Sequence, residues 1–322
     1  MAAMLASIPR PEDVFISLGR SLGKWTDPYL APVEDHLISA AQQYFPTQAS
    51  AVQTWLSTSR SVHSQKLPLQ DPFHVALIIA GYLVMVFGGK KLMRNANKFQ
   101  VKGLMLLHNA GLAALSAYMC LATLKEAYDQ NYRLVGNLAD ESKQGWPMAK
   151  LMWLFYISKT IEFVDTLIMV LKKNDRQISF LHLYHHGSIF AVWWLVVLKA
   201  PTGESYFSAA LNSFIHVVMY GYYLCMAVGI RQVSFIKRYI TAMQMTQFCC
   251  MMAQAIGVIY YTRVNQQQHD PKDKEHKPYP ADLGVLLFFY MWTMLGLFAN
   301  FFIQDAKRAK AARIAAKNAK KQ

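Results

Sequence analysis

The chain has 322 residues, 54% of them hydrophobic and only 16% charged, against roughly 25% charged residues in soluble domains. With 17 Met, 18 Phe, 17 Tyr and 7 Trp, this composition excludes a disordered chain, a collagen and a small disulfide scaffold. A net charge of +14 would suit a nucleic-acid binder if the basic residues shared one soluble surface, but their distribution along the chain says otherwise.

Residues 1–72 form a first segment. Met1–Ser7 is too short for the apolar stretch of a cleavable signal, so the first span is expected to act as its own insertion signal. Val14, Leu18, Leu22 and Trp25 are spaced as on interfacial helices, which Pro28, Pro32 and Pro46 are expected to break. Seven stretches then match the roughly 17–25 residues of a membrane-crossing helix: 73–89, 103–124, 150–171, 180–198, 205–229, 239–261 and 283–303. Alternation of period two is absent, so strands are not expected to cross. The fold class is therefore all-α, a polytopic membrane protein of seven transmembrane helices over 73–303. Cys120, Cys225, Cys249 and Cys250 fall inside apolar runs with neither zinc nor disulfide spacing and read as packing residues. The polar loop 262–282 leaves His269 and His276 to solvent. The tail 304–322 is basic and suits a helix against anionic lipid, and Lys320-Lys321 forms a partial dilysine retrieval signal that points to the endoplasmic reticulum.

Seven crossings define two faces. One holds 90–102, 172–179, 230–238 and 304–322, with 18 Lys/Arg and 2 Asp/Glu; the other holds 14 and 15. The positive-inside rule places the first face, with the C-terminus, in the cytosol, and the N-terminus in the lumen. The surplus of positive charge thus reflects topology, and no nucleic-acid partner is expected.

Polar groups stand inside several spans. Lys159, Glu162 and Asp165 follow one another at three-residue spacing on the third, with Thr166 beside them, and so share an arc of about 120°. An intramembrane charge costs on the order of 2.5–3.5 kcal/mol, so the three must pair or line a wet cavity. A Lys159–Glu162 ion pair that only locks helices together is the bland reading, and it leaves Asp165 needing a donor from another helix. His182, His185 and His186 form an HxxHH cluster on the fourth span. Asn212, His216, Tyr220 and Tyr223 lie on the fifth, Gln244 and Gln247 on the sixth, all toward the cytosolic half. Imidazole can serve as nucleophile, general base or metal ligand, and a nearby carboxylate would orient it. A di-iron histidine-box oxygenase is the competing chemistry, yet only four histidines can meet: His36, His63, His269 and His276 lie outside the spans, His74 sits at the wrong end of the first, and His108 stands alone in the second. A single metal ion stays open.

Four motifs, Lys159-x-x-Glu162-x-x-Asp165-Thr166, His182-x-x-His185-His186, His216-x-x-Met219-Tyr220-x-Tyr222-Tyr223 and Thr241-x-x-Gln244-x-x-Gln247, resemble in order and spacing the ELO family of very-long-chain fatty-acid elongases. The likeness spans roughly Phe73 to Phe302, and its wording is most similar to fungal and protist polyunsaturated-acid elongases. Departures are His108-Asn109 where the family more often has Tyr-Asn, Asn97-Lys98-Phe99 for a basic-Pro-Phe phrase, and Phe301-Phe302 for Phe-Tyr.

The resemblance implies seven helices, six of them around a narrow acyl tunnel, and condensation of acyl-CoA with malonyl-CoA to 3-oxoacyl-CoA, CoA and CO₂, with no bound cofactor. His185 would be the nucleophile among the three box histidines; His216, Asn212 or Tyr220 would hold the reacting carbonyl; Asp165 or Glu162 would orient a histidine. Lys172, Lys173, Arg176, Lys237 and Arg238 would meet the CoA phosphates. Membrane lipid, the reductases and dehydratase of the elongation cycle and a second copy of the chain are the partners implied. A histidine-box desaturase or hydroxylase and a non-enzymatic seven-helix transporter are the alternatives.

Overall fold

The computed structural model describes residues 9–319; Met1–Ser7 and the Lys320-Lys321 pair lie outside the described residues. Two helices open the chain, α1 (Pro11–Tyr44) and α2 (Pro46–Ser59), followed by α3 (Pro72–Met93), α4 (Lys102–Asp129), α5 (Trp146–Leu171), α6 (Phe180–Lys199), α7 (Ser205–Val228), α8 (Ile236–Gln268) and α9 (Ala281–Ala319). The strands β1 (Ala139–Asp140) and β2 (His276–Lys277) pair antiparallel and join two interhelical loops.

Local chemistry sets several of these boundaries. Proline occupies the first turn of α1, α2, α3 and α5, where its missing N–H costs nothing. Asp71 caps α3 by accepting from the Phe73 N–H, and Ser179 caps α6 by accepting from His182. Gly229, at φ 100°, ends α7 in the left-handed conformation.

Two expectations need correction. Pro46 does break the chain, but α1 runs through Pro28 and Pro32 as one 34-residue helix. Each proline removes a single N–H from the ladder, which long helices absorb as a bend. His276 is not merely solvated either; it pairs with Asp273 at 3.2 Å, and its strand faces Asp140.

The beginning of α1 is fastened to the bundle. Tyr118 donates to Glu12 at 2.6 Å and Lys150 to Asp13 at 2.6 Å. Gly19 lies so close to Pro68 that a Cβ would stand 2.9 Å from its ring. Val14, Leu18, Leu22, Trp25 and Tyr29 remain exposed along the outer face.

Among the described residues, six helices, α3, α4, α6, α7, α8 and α9, are long and apolar enough to cross a membrane, and the chain is a multi-pass membrane protein. The remaining helix, α5, has sufficient length at 26 residues but carries Lys150, Lys159, Glu162 and Asp165. It packs against α3, α4, α6 and α7, and residues 148–159 are buried on every side. The helix with the most expensive side chains is thus the one with the most protein around it.

Candidate active site

A narrow cavity runs between α6, α7, α8 and α9. His185, Asn212 and Gln247 line one end; Glu204, Gln254 and Tyr279 line the other. The walls between are mainly apolar, with Ile189, Val192, Met251 and Met294 among them. They come from these four helices and the loops that lead into α7 and α9.

The polar end rests on α5. Lys159 is 2% exposed and Glu162 likewise 2%, and they pair at 2.7 Å. Lys159 also donates to Asn212 Oδ1 at 3.2 Å and lies 4.0 Å from the centre of the Phe155 ring. His216 Nδ1 approaches the same Glu162 oxygen at 3.3 Å. The bland ion pair therefore exists, but it is one link in a four-residue network across α5 and α7. Asn212 in that network forms part of the cavity wall, so the network reaches the cavity itself.

The three box histidines divide. His182 Nε2 is 2.7 Å from the Thr166 hydroxyl, which meets Tyr82 at 3.2 Å. His186 is buried among the rings of Tyr82, Phe163 and His182. Only His185 lines the cavity, and its Nδ1 has no hydrogen-bond partner.

Asp165 finds its donors on two other helices. His108 Nε2 meets Oδ1 at 3.1 Å, and the Tyr220 hydroxyl donates to Oδ2 at 2.7 Å. His108, the one histidine of its span, thus has partners on two other helices, and the donor sought for Asp165 is not a box histidine. Tyr223 touches the Tyr220 ring edge-on but is 42% exposed.

The other expected site residues are spread more widely. Gln247 lines the cavity with its carbonyl oxygen unpartnered, whereas Gln244 turns to Met219. Lys172, Arg176 and Lys237 are exposed at one end of the bundle. Lys173 is occupied with the Arg94 and Ala96 carbonyls at 3.2 and 3.0 Å, tying the 94–99 loop to the end of α5. Cys249 and Cys250 are exposed and do not line the cavity. Among the described residues, no group of three His, Cys, Asp or Glu side chains stands ready for a metal ion.

The model of the ELO (GNS1/SUR4) family matches residues 67–314. The chain belongs to the ELO family. It is 40% identical over 270 residues to the fatty acid elongase 6 of Leishmania major, covering 82% of this chain and 68% of that one. It is 37% identical over 239 residues to human very long chain fatty acid elongase 5, covering 72% and 74%, and 35% identical over 231 residues to rat elongase 2, covering 70% and 77%.

Within this ELO-family chain, sequence reasoning missed His108 and the far end of the cavity. There Glu204 accepts the Gly136 and Asn137 N–H groups, each at 2.5 Å, and Gln254 at 3.2 Å. Burial pushes the Glu204 carboxyl pKa up, and these donors pull it back. Ser205, Ser208 and Asn212 recur at i, i+3 and i+7 on one face of α7, a polar stripe that helical spacing alone could have shown.

Proposed function

We propose that this ELO-family protein condenses a long-chain acyl-CoA with malonyl-CoA to a 3-oxoacyl-CoA two carbons longer, with His185 as the nucleophile. The observation that carries the assignment is that His185 is the one box histidine on the cavity. The acyl tail lies in the apolar cavity and its thioester stops at His185. A neutral imidazole nitrogen attacks the thioester carbon, the C–S bond breaks, and the proton shed by the ring goes to the CoA thiolate. Malonyl-CoA follows. Loss of CO₂ leaves an electron pair as an enolate, whose carbon attacks the acyl-imidazole; the C–N bond breaks and the ring recovers a proton from water.

Asn212 is the donor best placed for the developing oxyanion. Lysine can only donate, so the Lys159 contact fixes the Asn212 oxygen and leaves the amide hydrogens unspent. One such donor is worth roughly 10²–10³ in rate. His216, which Glu162 orients, does not line the cavity but stands one turn along α7 from Asn212 and is the next donor. Tyr220 spends its only proton on Asp165 and serves the site through that carboxylate instead. The sequence so written uses no bound cofactor.

We further read α5 as a seventh crossing, shielded by its neighbours, with the N-terminus lumenal and the basic end cytosolic in the endoplasmic reticulum membrane. CoA phosphates would then meet Lys172, Arg176 and Lys237. Residues 1–72, 73–303 and 304–322 form a lumenal segment, the catalytic bundle and a cytosolic tail. Polyunsaturated chains are the substrates suggested by the wording of the motifs.

Incubation with acyl-CoA and no malonyl-CoA tests the route. Intact-mass and peptide analysis should find one acyl group on His185, and His185→Ala should lose the adduct and more than roughly 10³-fold of turnover. Full turnover by His185→Ala ends the nucleophile assignment.

A further inference from the structure

We propose that His108 is a positioning residue for the condensation, acting through Asp165 and Tyr220 on His216; this rests on the elongase reading above. His108 belongs to α4, which contributes no wall to the cavity, and its side chain is 5% exposed. Its Nε2 holds one oxygen of Asp165 at 3.1 Å while the Tyr220 hydroxyl holds the other at 2.7 Å. The Asp165 side chain is 18% exposed, and a carboxylate so far withdrawn from water is costly unless its oxygens are satisfied; here each has one donor from a different helix.

The contact continues toward the chemistry. The His108 ring stands edge-on to Tyr220, 6.2 Å between centres at 87°. Tyr220 in turn stands edge-on to His216, at 5.6 Å and 71°. His216 is the histidine that Glu162 orients. Without His108, Asp165 keeps one donor and is free to turn. The Tyr220 hydroxyl then loses its fixed acceptor, and the ring that backs His216 loses its place. His108 touches no wall of the cavity, so its removal should lower kcat and leave acyl-CoA binding largely unchanged.

The geometry makes a distinction that a packing role would not. A glutamine amide places its N–H near the histidine Nε2 position, and an asparagine amide falls short of it. His108→Gln should keep kcat within about threefold of wild type. His108→Asn and His108→Ala should lose tenfold or more, with the acyl-CoA KM within twofold. Turnover is normalised to folded protein by size exclusion and thermal melting. His108→Ala combined with Asp165→Asn should lose little more than Asp165→Asn alone, because both break one contact. Equal impairment of the Gln and Asn variants, full multiplication of the two losses, or wild-type kcat in His108→Asn overturns the role. Absence of elongation by the wild-type protein sinks the elongase reading instead, so the two failures are distinct.

Discussion

Glu162 is the residue on which the polar end of the cavity turns. Its carboxylate faces both Lys159 and His216, and Lys159 carries the orientation onward to Asn212. Removing one member of a buried pair leaves the other uncompensated, at a cost of about 3–5 kcal/mol. Glu162→Gln should therefore lower the thermal midpoint markedly and reduce turnover per folded molecule as well, since His216 loses its orienting charge. A variant that melts like wild type contradicts the network. Most of these residues were legible in the sequence because charges and imidazoles are conspicuous in apolar spans. His108 was not: its partner lies 57 positions away, and one histidine in an oily run has no spacing to declare it.

Helices present the cavity as stripes. Ser205, Ser208 and Asn212 follow each other up α7, while Gln247, Met251, Gln254 and Val258 do so along α8. Ser208 therefore stands one helical turn from Asn212, between the reacting end and the Glu204–Gln254 end. A bulky side chain there should cut the space left for the acyl tail. Ser208→Phe is expected to shift products toward shorter chains by at least two carbons, with the His185 adduct still forming on short acyl-CoAs. An unchanged product distribution would show that the tail does not occupy this space. Helix starts were readable to within about four residues, because hydropathy and length govern them, whereas α8 runs on to Gln268 and α9 to Ala319, past the expected ends at 261 and 303. The passage of α1 through Pro28 and Pro32 was not, since proline signals a missing N–H without saying whether the surrounding ladder survives. Which stripes face one another also depends on helix rotation and crossing, which local spacing leaves open.

Across the molecule, polarity is ordered from the inside out. The charged helix α5 sits among α3, α4, α6 and α7, and the helices that satisfy the length and apolarity of a span surround it or flank the cavity. The charge count in each loop was legible in the sequence, but its division between two faces depends on α5 being a crossing, which its charges hide from hydropathy. The closure of the cavity by Glu204 and Gln254 was not, because it joins the loop at Gly136 and Asn137 to α7 and α8 through contacts over 50 residues or more. In the proposed mechanism the whole bundle is a chamber that brings a thioester to an imidazole. Its most direct test is to supply membranes containing the protein with malonyl-CoA and a panel of C16–C22 acyl-CoAs, including polyunsaturated ones, and to analyse product chain length. Products two carbons longer, formed only when malonyl-CoA is present, are predicted; acyl chains recovered at their original length across the panel would contradict the account.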